Sequence, residues 1–171
     1  MNGRSLLALA MLGTAFMAYA QTAPFTLTLG AARYEVKVGD PVDISVVMTN
    51  TSDHDVDCTT NSSNALDRSY EYDVRNEQGQ RVKKIEKEHH GGSSIWPCVL
   101  KPGQTDTPSG GRISVLYDFS RPGKYTIQVF RSVFGDQGRP RTFGKGSDHA
   151  PVVASNTITV TVNRAEVGPG K

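Results

Sequence analysis

The sequence predicts an all-β protein, an antiparallel β-sandwich of seven or eight strands, on three observations. Apolar and polar residues alternate with period two through run after run. Turn signals built on Gly, Pro, Asn and Asp separate the runs, and no stretch shows the spacing of an amphipathic helix. The alternation is sharpest from Ile113 to Phe130. Ile113, Val115, Tyr117 and Phe119 share one face of a first run, and Tyr125, Ile127 and Val129 share one face of a second. Arg121-Pro122-Gly123 forms the corner between them. A tyrosine opening the strand after such a corner, here Tyr125 behind Pro122 and Gly123, bonds its hydroxyl back to upstream backbone in immunoglobulin-like sandwiches, which makes that the expected fold class.

In chain order, residues 1–20 stand apart from the fold. Arg4 supplies a positive n-region, Leu6 to Met17 an apolar core, and Ala18-Tyr19-Ala20 the small residues of a cleavage site before Gln21. The apolar run is too short for a transmembrane anchor, and it predicts a signal peptide and an exported, periplasmic or secreted, protein. Residues 21–163 are long enough for one domain with a proper core. Phe25 to Leu29 and Arg33 to Val38 alternate, with Gly39-Asp40-Pro41 ending the second run. Val42, Ile44, Val46 and Met48 share a face of the next strand, which Asn50-Thr51-Ser52-Asp53 breaks. Val56 to Asn61 is weakly strand-like, and Asn61 to Asp67 is a polar connection. Tyr70, Tyr72 and Val74 mark a strand, and Asn76 to Gly79 a hairpin loop with Gly79 at positive φ. Gln80 to Ile85 would return antiparallel. The pattern fails from Glu86 to Pro97, Lys101 to Gln104 is a turn, and Ile158, Val160 and Val162 mark the last strand. Residues 164–171 are a polar tail expected to be disordered.

Composition narrows the function. The formal charge of +2, which drops to +1 without Arg4, argues against nucleic acid or an anionic membrane as partner. Cys58 and Cys98 are the only cysteines, and in an exported chain they are expected to form a disulfide; free thiols or metal ligation are the alternative.

The succession of motifs resembles a known family. Asn50-Thr51-Ser52 follows an alternating strand. Tyr70-Glu71-Tyr72-Asp73-Val74-Arg75 then runs into Gln78-Gly79-Gln80-Arg81-Val82, and Leu100-Lys101-Pro102-Gly103 and Pro122-Gly123-Lys124-Tyr125-Thr126 come after it. Across Val36 to Val129 this is similar to the intracellular proteinase inhibitor (BsuPI-like) domains and related bacterial immunoglobulin-like modules. The chain departs from that pattern in its signal peptide, its cysteine pair, and Lys83-Lys84 where a Trp commonly stands. The resemblance implies the sandwich and, as one alternative function, secreted protease inhibition.

Three stretches offer chemistry. Asp53, Asp55 and Asp57 alternate around His54, so an extended segment would turn three carboxylates to one side for a hard cation such as Ca²⁺; the other reading is a solvated polar turn. His89-His90-Gly91-Gly92 holds paired imidazoles but lacks the spacing of zinc ligands. Phe134 to Ala154, with Phe134, Arg139, Arg141, Phe143 and Lys145 among glycines and prolines, is either a recognition loop at the same end as Asp53 to Asp57 or a long insertion. Asn50 and Asn61 fit the glycosylation sequon, though Asn50 is better placed to bond backbone at a strand end. No nucleophile elbow or phosphate-cradling loop is present, so neither an enzyme nor a cofactor is expected. The expected function is a non-catalytic exported module binding protein or peptide through its loop end. The alternative is a periplasmic metal-handling domain.

Overall fold

The computed structural model describes residues 23–63, 66–67, 69–85, 94–106, 108–133 and 152–165. Residues 1–22, His89 and His90, most of the tail, and the stretch from Phe134 to Pro151 with its five candidate binding residues lie outside them. The described chain is all-β. Its strands are β1 (Phe25–Ala31), β2 (Glu35–Lys37), β3 (Asp43–Asn50), β4 (Val56–Asp57), β5 (Thr60–Ser63), β6 (Leu66–Asp67) and β7 (Glu71–Arg75). After these come β8 (Ser94–Trp96), β9 (Val99–Leu100), β10 (Ser109–Arg112), β11 (Gly123–Ser132), β12 (Val152–Ala154) and β13 (Ile158–Asn163). Among the described residues no helix is long and apolar enough to cross a membrane.

Two sheets enclose one core. The first is antiparallel, in the order β1-β3-β10. In the second, β11 takes β7 on one edge and both β12 and β13 on the other, because Ile127 pairs with Val74 and Ile158 while Phe130 pairs with Glu71 and Ala154. The inward faces follow the alternation directly. Phe25, Leu27 and Leu29 of β1, Ile44, Val46 and Met48 of β3, and Tyr72 and Val74 of β7 are buried. Tyr125, Ile127 and Val129 of β11 and Ile158, Val160 and Val162 of β13 join them in one cluster. Burying each such side chain contributes about 1.5–3 kcal/mol, which makes this cluster the main source of stability.

A side chain closes part of the seam between the sheets. Asn156, at the break between β12 and β13, accepts a hydrogen bond from the Leu29 amide at 2.8 Å and donates to the Leu29 carbonyl at 3.0 Å. Its amide thus stands beside β1 as a short strand would.

The structure corrects several sequence expectations. The run from Ile113 to Phe119 is not a strand. Ile113–Val115 is a 3-10 helix, with the Leu116 and Tyr117 amides bonding the Ile113 carbonyl at 3.0 and 3.1 Å. Ile113 and Tyr117 are both buried while Val115 is only partly so; four-residue spacing mimics period two when the apolar residues fall on odd positions. Among the described residues thirteen strands are present, the excess over seven or eight coming from short ones such as β4, β5, β6, β8 and β9. One pairing, β2 with β13, is parallel. Val152–Ala154 is strand rather than loop. Gln80 to Ile85 makes only isolated bridges, Arg81 to Arg75 and Lys84 to Tyr117, since Val82 alone is apolar before Ile85. Ser109-Gly110-Gly111-Arg112, unmarked by alternation, forms β10. Gly110 sits at φ +142°, and a Cβ there would collide with the Ile44 carbonyl of β3, so only glycine allows this approach.

Candidate functional site

Beyond the sandwich core, the chain builds a second object from residues 56–63 and 94–100. Val56 faces Leu100, Asp57 faces Val99, Thr60 faces Trp96, Asn61 faces Ile95 and Ser62 faces Ser94, all in one antiparallel register. Cys58 and Cys98 stand opposite each other in step with it, their Cα atoms 4.8 Å apart, joined by a disulfide and by the Cys58 amide donating to the Cys98 carbonyl at 3.0 Å. This stapled ribbon leaves the sandwich where β3 ends and re-enters the second sheet through β7.

Two buried polar side chains fasten it down. Asn50, 1% exposed, donates to the carbonyls of His54 and Leu100 at 2.7 and 2.8 Å, and its oxygen accepts from the Ser52 amide and hydroxyl at 2.8 and 2.7 Å. Every bonding position of the amide is used, which makes Asn50 a backbone organiser rather than a glycan acceptor. Arg131 of β11, fully buried, donates to the carbonyls of Thr59 at 2.9 Å and Asp57 at 3.5 Å and stacks over the Tyr70 ring at 5.3 Å. Val56, Cys58 and Leu100 add apolar packing against the core, while residues 94–97 and Val99 are left exposed.

Its side chains show the consequence. Ile95, Trp96 and Val99 are 66%, 63% and 62% exposed, and Trp96 is the single tryptophan of the chain. Ile95 and Val99 fall on one face with Pro97 between them. The Cys58-to-Cys98 bond directs the Cys98 backbone toward the partner strand, so the backbone of Pro97 faces the outer edge, where a donor is missing. Among the described residues nothing pairs with that edge.

The acidic segment beside the ribbon is not one extended strand. Ser52 to His54 lie in a bend, Asp55 follows it, and only Val56 and Asp57 enter β4. The Asp53 carboxylate sits 3.0 Å from His54 Nδ1, a hydrogen bond that holds its carboxyl below the usual range. Asp55 approaches Lys101 Nζ at 3.9 Å, and Asp57 accepts the Thr59 amide at 2.7 Å. Among the described residues, no three of Asp53, His54, Asp55 and Asp57 converge within ligand distance.

At the corner, Tyr125 donates its hydroxyl to the Arg121 carbonyl at 2.8 Å across Pro122 and Gly123, and its ring tilts against Phe119 with centroids 4.8 Å apart. A further tyrosine, Tyr117, donates to the Tyr72 carbonyl at 2.7 Å beside a 380 Å³ cavity whose lining includes Glu71, Asp73 and Arg81. Burial pushes its phenol up to about 12, with Asp73 and Glu71 adding to the shift.

Sequence reasoning missed Arg131, Ile95, Trp96 and Val99. The signal for Arg131 was in plain view: Tyr125, Ile127 and Val129 set a buried phase whose next member is the arginine. For the others, pairing Cys58 with Cys98 in register already implies that residues 94–100 form a strand. No family model matches the chain, and no curated protein matches it.

Proposed function

We propose that this chain is an exported, non-catalytic sandwich module of immunoglobulin-like type that binds a protein or peptide at its ribbon end. The observation that carries the reading is the outward set of Ile95, Trp96 and Val99 on a strand held by a disulfide and two buried polar side chains. Single exposed apolar residues are ordinary, but three within five positions of a constrained backbone, Ile95 and Val99 on one face and Trp96 on the other, suit the ribbon to association. Tryptophan is among the strongest anchors at interfaces, and a fixed backbone lowers the entropy lost on binding. Pro97 weakens strand addition at the ribbon's edge, so the partner rests on its faces. The signal-like N-terminus and the disulfide support export.

Intrinsic fluorescence tests this directly, because Trp96 is the only indole. Protein captured from the cognate envelope extract should blue-shift the emission on binding. The combined variant Ile95→Ser, Trp96→Ala, Val99→Ser should lose that capture while keeping its far-ultraviolet circular dichroism. Undiminished capture by the folded triple variant would remove the ribbon from the binding surface.

A further inference from the structure

We propose that reduction converts the Cys58–Cys98 staple, together with Asp106, into a three-ligand site for a thiophilic divalent cation of the Zn²⁺ or Cd²⁺ kind. The two sulfurs and one Asp106 carboxylate oxygen lie within 4.8 Å of one another. Bond lengths of about 2.3 Å to sulfur and 2.0–2.2 Å to oxygen, at tetrahedral angles, set such ligand atoms roughly 3.5–3.8 Å apart. Opening the staple lets the two sulfurs, now at bonding distance, part to that spacing, and the carboxylate closes in by up to about 1 Å, both by side-chain rotation.

The sulfur–sulfur bond is not the sole support of the frame that places these groups. The ladder pairs Asp57 with Val99 on one side of the cysteines and Thr60 with Trp96 on the other, and the Cys58 amide bonds the Cys98 carbonyl. Asp106 is set by its own amide donating to the Met48 carbonyl at 2.9 Å. Both thiols thus remain opposite each other beside the carboxylate once the staple opens. Cys58 is buried while Cys98 and Asp106 are half-buried, so a cation enters from the side of the latter two and keeps a water as fourth ligand.

The chemistry balances with a dithiol as reductant. Two successive thiol–disulfide exchanges oxidise it to its own disulfide, and Cys58 and Cys98 gain two electrons and two protons. The incoming cation displaces those two protons, leaving two thiolates and a carboxylate around a +2 charge. Thiolates select Zn²⁺ or Cd²⁺ over Ca²⁺ and Mg²⁺, which favour all-oxygen sites. The site is thereby distinct from the acidic bend at Asp53 to Asp57.

The test is cadmium titration of the chain lacking residues 1–20, after reduction with a metal-compatible phosphine. One Cd²⁺ per chain is expected, with a thiolate-to-cadmium charge-transfer band that the oxidised protein lacks. Asp106→Asn should weaken binding by more than about tenfold, beyond the lower bound for losing a partner behind a ligand. Glu35→Gln, on the exposed face of β2, should leave it unchanged. If Asp106→Asn does not fold, cadmium NMR of the unaltered chain reads the ligand set instead, with two sulfurs expected and four overturning the site. Absence of the band, an Asp106→Asn variant that binds as tightly as the parent, or loss of near-ultraviolet dichroism on reduction that cadmium does not restore would each overturn the proposal.

Discussion

The sandwich and the ribbon solve the problem of holding strands together in opposite ways. In the sandwich, the side chains that specify the strands also stabilise them: Ile127, Val129 and Val160 are fully buried, and their alternation is the fold. In the ribbon, stability comes from a covalent cross-link, a saturated amide at Asn50 and a buried guanidinium at Arg131, while Ile95, Trp96 and Val99 face outward. Where burial holds the backbone, the side chains are spoken for. Where a staple and polar anchors hold it, side chains are released for contact with something else.

The largest effect should come from removing the staple. Replacing Cys58 and Cys98 by Ala frees a 40-residue loop, and the chain-entropy model puts the loss at about 4 kcal/mol. Urea unfolding measures this, and a loss below about 1 kcal/mol would mean that the polar anchors alone suffice. Next is a matched pair that sets the two regions side by side. Ile127→Ala in the core should cost about 2–5 kcal/mol by leaving a cavity, whereas Ile95→Ala should stay within about 0.5 kcal/mol. Equal costs would erase the distinction between the regions.

A smaller loss is expected from Tyr125→Phe. It strands the Arg121 carbonyl at the corner and should lower stability by about 1–3 kcal/mol, read from the urea midpoint. The smallest effect is confined to alkaline solution. The folded-state pKa of Tyr117 is raised from 10.0 to about 12, so the neutral phenol's contribution is complete below pH 10 and is lost as pH rises through 12. Ultraviolet titration of phenolate should show a late step near pH 12, and Tyr117→Phe should delete it. A late step that survives in Tyr117→Phe, or its absence from the parent, would place the Tyr117 hydroxyl in solvent.

Legibility in the sequence follows the same division. Strands whose stability comes from burial announce themselves by period two, so β1, β3, β7, β11 and β13 were readable from Phe25, Ile44, Tyr72, Ile127 and Val160. β10 was not, because Gly110 and Gly111 carry no side chain to alternate. The 3-10 turn at Ile113 was misread because its buried residues, Ile113 and Tyr117, satisfy two periods at once. The ribbon was the least legible part, since Val56, Cys58 and Leu100 alone follow the burial rule there while Ile95, Trp96 and Val99 do not. The acidic bend shows the same limit: spacing places three carboxylates on one side only if the backbone is extended, and Asn50's bonds to His54 and Ser52 fold it instead.

The Asn156 amide also sets a temporal order on the molecule. Its two bonds to Leu29 join positions 127 apart in the chain. β1 can pair with β3 as soon as some fifty residues are available, but its seam to the second sheet has to wait for a side chain near the far end. Contacts of such separation form late, because the intervening chain must be ordered before they repay its entropy. A polypeptide emerging N-terminus first therefore carries β1 with one side unsealed through most of its synthesis or passage, and the Leu29 amide should be among the last in the first sheet to gain protection from hydrogen exchange during refolding.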